Sequence, residues 1–255
     1  MKQLKEILNT AYGVCSFDLV KDRLISCRKK ADIPENAESI ILFVFPYKVK
    51  EEKPENISRY SAVADYHPIV EQKLQQYASA LKTAFPENSF VPFVDNSPIP
   101  EVYAAACANL GVIGQNGLLI TKEYGSFVFI GEIVTDMYIE TENSYKECLR
   151  CGLCEKACPV GLDKTKCLSK VTQQKKDLTE EQKLLIQKSG CIWGCDICAE
   201  VCPMNKNKSL SNIEEFTKTY RHQYVLGEDS QNRPYIWRGE EIIKRNHNIL
   251  CKNKS

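Results

Sequence analysis

A chain of 255 residues, 43% hydrophobic and 26% charged, has the make-up of one large globular domain or two small ones, which excludes a disordered or fibrous protein. A net charge of +1 excludes nucleic-acid binding by bulk charge; any such contact needs a local patch. Thirteen cysteines would suit a small secreted disulfide scaffold, but this chain is neither small nor marked for secretion.

Along the chain, Leu4, Ile7 and Leu8 have helical spacing and are interleaved with Lys and Glu. The basic start is followed by no apolar core of signal-peptide length, and no run is long enough to span a bilayer. A cytoplasmic protein without membrane contact is expected. Ser39–Phe45 is a continuous apolar, β-branched run that ends at Pro46 and predicts a buried strand. Val70, Leu74, Tyr77, Leu81 and Ala84 recur at steps of three and four, which predicts an amphipathic helix over 67–84. Phe90–Val94 predicts a strand, Pro98 and Pro100 open a helix over Glu101–Leu110, and Ser126–Val134 predicts another strand. Alternating strands and helices predict an α/β sandwich over 1–146. Residues 147–203 are Cys-rich with Gly and Pro at turns, and predict a ferredoxin-like domain. Residues 204–255 form a polar tail with short helices, ending in an apolar pattern at Ile242, Ile243, Ile249 and Leu250. The fold class expected is therefore α+β.

Nine of the thirteen cysteines lie between Cys148 and Cys202, which points to metal ligation. Cys148, Cys151, Cys154 and Cys158 before Pro159 form C-x2-C-x2-C-x3-C-P, the bacterial ferredoxin run. Closely spaced thiolates wrap three corners of one cubane, and the cysteine before Pro reaches the other cluster. Zinc sites pair C-x2-C units instead. Cys191, Cys195, Cys198 and Cys202 before Pro203 form a second motif with one residue too many in its first gap. Cross-ligation assigns Cys148, Cys151, Cys154 and Cys202 to cluster one, and Cys158, Cys195 and Cys198 to cluster two. Cys167 and Cys191 both remain candidates for the last ligand, and spacing mildly favours Cys191.

Further segments stand in order around these motifs: Arg59-Tyr60; Asp65-Tyr66-His67; Val94-Asp95-Asn96-Ser97-Pro98 with Glu101; Leu110 to Ile120; Gly125 to Ile133; and Trp237-Arg238-Gly239 with Arg245-Asn246. Together they resemble the epoxyqueuosine reductases, relatives of the reductive dehalogenases, over most of residues 40–250. The resemblance implies a nitroreductase-like, cobalamin-binding first domain, with base-off cobalamin held between it and two [4Fe–4S] clusters. It implies reductive removal of an epoxide oxygen from a modified tRNA nucleoside, with an electron donor such as ferredoxin or flavodoxin. Asp95 matches the family's catalytic acid, and Cys167 matches its cluster-two ligand, so the resemblance turns that choice to Cys167. Arg59, Tyr66, His67, Gly111, Gly114, Asn116, Gly117 and Ser126 fall where cofactor contacts are implied. Family members commonly have Trp-Ile-Gly-Lys where this chain has Val112-Ile113-Gly114-Gln115, so a basic group is replaced. Full-length members also carry a C-terminal helical-repeat domain that helps hold tRNA, which residues up to Ser255 do not include.

Blander readings stand beside these. Asp-Asn-Ser-Pro is a capping and turn sequence, and Gly111, Gly114 and Gly117 could serve tight turns alone. Cys15, Cys27, Cys107 and Cys251 are expected to be small buried residues. Arg221, Arg233, Arg238, Lys244 and Arg245 are expected on a solvated face. A second reading of the whole chain is a two-cluster electron carrier that docks a partner such as a corrinoid protein.

Overall fold

A computed structural model describes residues 2–252. The chain is mixed α and β and divides into two compact units, one of residues 1–45 and 67–150, the other of 46–66 and 151–255. Segment 46–66, read from sequence with the first domain, thus packs with the Cys-rich region. The C-terminal residues belong to that same unit.

The first unit opens with helix α1 (Lys2–Leu8), strand β1 (Gly13–Ser16) and strand β2 (Ser39–Pro46). Helix α2 (Tyr66–Ala84), strand β3 (Phe90–Val94), helix α3 (Glu101–Cys107), the short strands β4 (Val112–Ile113) and β5 (Leu119–Ile120), and strand β6 (Val128–Thr135) follow. The main sheet has four strands in the order β1-β2-β6-β3, with β1 antiparallel to β2 and β3 antiparallel to β6. Side chains alternate across a strand, and β2 buries both faces. Ile40 and Leu42 join a core with Ala104–Cys107 of α3, whereas Phe43 stacks on Tyr77 of α2 with ring centroids 4.9 Å apart. A Cβ on Gly131 of β6 would lie 2.9 Å from Leu74 and 3.0 Å from Val70, so α2 sits close because that position has no side chain.

The predicted strands and helices are present with small shifts at their ends. Helix α3 stops at Cys107 rather than Leu110, because Asn109 turns left-handed at φ 61°. Strand β1 and the β4–β5 hairpin carry no apolar run long enough to announce them. Of the isolated cysteines, Cys15 and Cys107 are buried as expected, but Cys27 is half-exposed and Cys251 exposed. Burial, with Cys107 beside it, pushes the Cys15 thiol up to about 12.

The second unit holds α4 (Leu153–Ala157), α5 (Leu168–Thr172), α6 (Glu180–Ser189), α7 (Ile197–Glu200), α8 (Glu214–Thr219) and α9 (Glu240–Cys251). Helix α6 starts on a capping box between Thr179 and Gln182, a signal legible in sequence. Trp193, fully buried, packs edge-on against Tyr235. Arg233 is buried and donates to the Ala62 carbonyl (3.1 Å), which corrects its reading as a solvated charge. Asn246, fully buried on α9, donates to the carbonyls of Thr172 (2.7 Å) and Ile192 (2.9 Å). Asn246→Ala leaves both carbonyls unpaired, and a loss of about 1–3 kcal/mol is expected in chemical denaturation.

Candidate functional site

The two cysteine motifs fold alike. Gly152 (φ 73°) precedes α4, and Gly194 (φ 72°) lies just ahead of α7. A residue without Cβ is favoured at both turns. Cys158 leaves α4 at φ −70°, ψ 123°, and Cys202 follows α7 at φ −72°, ψ 121°, each with proline next. Both cysteines are thus carried by the same extended turn, so the sequence repeat is a structural repeat. None of the cysteines is held in a disulfide among the described residues, and soft thiolates suit iron–sulfur clusters.

Two candidates compete near Cys195. The Cys191 thiol is half-buried and donates to the carbonyls of Trp193 (3.3 Å) and Gly194 (3.4 Å). Burial pushes it up to about 12. Cys167 opens α5, and it and Cys198 contribute to the electrostatic surroundings of Cys195.

At the other end of the Cys-rich run, the β4–β5 hairpin meets Cys148. The Cys148 N–H donates to the Ile113 carbonyl (3.0 Å). The backbone N–H groups of Gln115 and Arg150 donate to Cys148 Sγ at 3.2 and 3.5 Å. Such bonds stabilise a thiolate and tune a cluster's potential.

The hairpin accounts for its own glycines. A Cβ on Gly111 would lie 2.6 Å from the Ile120 carbonyl oxygen, and one on Gly114 2.3 Å from Asn116 Oδ1. Gly117 is left-handed at φ 81°, and Asn116 Oδ1 accepts from the Leu118 N–H at 3.3 Å. On the Cβ side, the room at Gly111 and Gly114 is taken up by the chain itself. Ser126 is buried behind a turn in which Gly125 is left-handed at φ 62°.

The reading of Arg59 is corrected. It is 4% exposed. Its Nε bonds a Glu200 oxygen, its Nη1 donates to the carbonyls of Lys50 (2.8 Å) and Glu52 (3.1 Å), and its Nη2 to Glu51 O (2.9 Å) and Glu200 Oε2 (3.3 Å). Every guanidinium N–H is engaged within the second unit. Its backbone N–H donates to Asp196 Oδ2 at 2.6 Å. Burial raises the Asp196 carboxyl to about 6, against the pull of that bond and of the Arg59 charge.

Asp95 and His67 come together in the first unit. His67 Nε2 lies 3.2 Å from Asp95 Oδ2, with side chains 29% and 53% exposed. Asp95 is left-handed at φ 56°, and its carbonyl accepts from the Ser97 N–H at 2.6 Å. The Ser97 hydroxyl accepts from the Ile99 N–H at 3.0 Å. The turn reading and the proton-donor reading therefore share one loop: main-chain bonds shape it, and the Asp95 carboxyl projects from it. Tyr66 and His67 are the first residues of α2.

Sequence reasoning missed Glu101 and Glu132 as a pair. Glu132 on β6 is fully buried, and the Ser97 hydroxyl and the Glu101 carboxyl are the polar groups that face it; Glu101 Oε1 is likewise sealed from solvent. Burial drives both carboxyls up, Glu132 to about 8 and Glu101 well above its usual range, and each is the other's neighbour.

With this geometry in view, the comparisons with known proteins are specific. Residues 29–96 match the family described as epoxyqueuosine reductase QueG, DUF1730, and residues 147–205 match the 4Fe-4S double cluster binding domain. The epoxyqueuosine reductase of Lactococcus garvieae is 33% identical over 83% of this chain and 68% of its own length. Among the curated relatives the chain spans as little as 52% of one and as much as 75% of another. The solved epoxyqueuosine reductase of Streptococcus thermophilus superposes with a TM-score of 0.77 at 25% identity, over 99% of this chain and 80% of that one. A crystal structure of an epoxyqueuosine reductase with an epoxyqueuosine-modified tRNA-Tyr stem loop shares the fold, with a TM-score of 0.81 at 23% identity over 98% and 80% of the two chains.

Proposed function

We propose the activity from a fixed premise: this chain belongs to the epoxyqueuosine reductase family. It is an oxidoreductase that removes the epoxide oxygen of epoxyqueuosine in tRNA, with two [4Fe–4S] clusters and cobalamin as cofactors. The relative crystallised with a modified stem loop supports tRNA as the substrate. The observation that carries the reading is the pairing of Asp95 with His67 at 3.2 Å, inside the segment that matches the reductase family, in a chain that also carries the double-cluster domain.

The residues fit the clusters. The ligand sets are Cys148, Cys151, Cys154 and Cys202, and Cys158, Cys167, Cys195 and Cys198. Cys167 is preferred because the Cys191 thiol is committed to backbone carbonyls. Metal analysis of anaerobically reconstituted protein tests this: about eight irons per chain are expected, roughly half that for Cys167→Ser, and the full count for Cys191→Ser. Loss of iron from Cys191→Ser alone would reverse the assignment.

For cobalamin the fit is narrower than the resemblance implied, since Arg59 is engaged elsewhere. Tyr66, His67, Gly111, Gly114 and the Asn116–Gly117 turn are the residues left to face it. When bound, cobalamin supplies a strongly nucleophilic reduced cobalt. The chain's own part is proton handling. Loss of the epoxide oxygen as water consumes protons as well as electrons, and Asp95 gives a proton to the departing oxygen. His67 orients the Asp95 carboxyl through the oxygen it contacts. The electrons come from a carrier such as ferredoxin or flavodoxin. The first unit's helix-covered sheet is the nitroreductase-like part of the fold. No helix among the described residues is long and apolar enough to cross a membrane.

The deciding experiment is turnover of an epoxyqueuosine-containing stem loop by the cofactor-loaded protein, with a chemical reductant, alongside a cobalamin titration. Queuosine formation supports the reading. Full iron loading without cobalamin binding or turnover overturns it in favour of an electron carrier.

A further inference from the structure

The Asp95 loop rests on two acids that the reaction does not itself require: Glu132, fully buried, and Glu101, half-buried with one carboxylate oxygen sealed from solvent. Glu132 lies on β6 opposite Phe93 of β3, next to the pair Val94 and Gly131, so it sits where β3 releases the chain into the loop. Glu101 is the first residue of α3, where the loop ends. The Asp95 backbone N–H bonds the Glu101 carboxylate. One acid thus holds the main chain of Asp95, and the other lies beneath it in a fully buried position, facing the Ser97 hydroxyl and the Glu101 carboxyl.

Two carboxylates sealed in this way cannot stay ionised side by side: each would be poorly solvated and would repel the other. A proton on one of them removes a charge and supplies a donor between the two carboxyls. We propose that Glu101 and Glu132 share one proton and act as a catch that fixes the Asp95 loop in its left-handed turn. They are positioning residues for the proton donor, and the proposal rests on the reading of Asp95 given above. The groups facing Glu132 are Glu101, the Ser97 hydroxyl and the Lys29 ammonium; those facing Glu101 are Glu132 and Asp95, which in turn meets His67.

Loss of the shared proton releases the catch. The folded-state value of Glu132, about 8, lies above the ordinary 4.5. The stability that proton contributes is therefore complete below about 4.5 and lost as pH rises through about 8. Thermal unfolding of the cofactor-loaded protein should fall across that window, and less so in Glu132→Gln.

Three measurements on the loaded protein test the catch. Infrared spectroscopy at neutral pH should show the C=O stretch of a protonated buried carboxyl in the native protein and lose it in Glu132→Gln. Hydrogen exchange read by mass spectrometry should find the Asp95 amide protected in the native protein and in Glu101→Gln, whose amide oxygen still accepts, and open in Glu101→Ala. Turnover should then show a kcat lower by about a hundredfold in Glu101→Ala with KM little changed, recovered in Glu101→Gln. An absent band, or an amide equally protected in both Glu101 variants, overturns the catch. If no form converts epoxyqueuosine, the reductase reading fails, while the band and the exchange still decide the catch.

Discussion

Asp95→Asn should cut turnover of the epoxyqueuosine stem loop by about 10²–10⁴-fold while leaving iron content and cobalamin binding intact. The substitution changes little else. Asp95 sits at φ 56°, a conformation that Asn adopts as readily as Asp and that a β-branched or bulky residue resists. The amide oxygen of Asn can still meet His67 Nε2, which lies 3.2 Å from Asp95 Oδ2. The loop and its bond from the Ser97 N–H therefore persist, and only the proton is missing. Asp95→Ala is the less informative variant, because it removes a contact as well as the acid. Single-turnover kinetics with pre-reduced enzyme checks the prediction, since it isolates the bond-breaking step from electron delivery. A rate for Asp95→Asn close to the native one would remove Asp95 as proton donor. His67→Ala should fall between the two forms, because the carboxyl remains but loses the ring that orients it.

The parts of this protein that sequence made legible follow a simple rule: the residue type alone implied the environment. Ser39–Phe45 could only be buried, and it lies in the inner strand β2. Nine closely spaced cysteines ending in Cys-Pro steps implied a repeated cluster loop, and the two loops superimpose in backbone conformation at Cys158 and Cys202. Legibility failed where a residue sits against its usual preference. Arginine and glutamate default to the surface, so Arg59, Glu101 and Glu132 gave no sign of burial. Gly111 and Gly114 carry the opposite ambiguity, since a missing side chain makes room for a ligand or for the chain's own backbone, and only the structure shows Ile120 and Asn116 on the Cβ side. Short elements such as Gly13–Ser16 contain too few residues to show a period, and they form because a neighbouring strand is already in place.

Arg59→Leu should destabilise the cluster-bearing unit by about 3–5 kcal/mol, the range for breaking a buried ion pair from one side. The side chain fills a closed polar space: carbonyls of residues 50–52 on one side and the Glu200 carboxylate of α7 on the other. Leucine matches the apolar stem of arginine but supplies no donor. Three carbonyls and a carboxylate are left facing it, and the Glu200 charge is the costly member because its partner is gone. The loss spreads to the second cluster motif, since α7 lies between Cys195 and Cys202. Asp196, which begins that helix, is buried and raised to about 6 partly in spite of the Arg59 charge, so removing that charge raises it further. Anaerobic denaturation followed at the iron–sulfur absorbance should show earlier loss of iron in Arg59→Leu than in the native protein. The double variant Arg59→Leu with Glu200→Leu should recover part of the loss, because the stranded carboxylate goes with its partner. Were Arg59 instead a cofactor contact, the single variant would keep its iron and stability and lose only cobalamin affinity, and the two outcomes are read from the same sample.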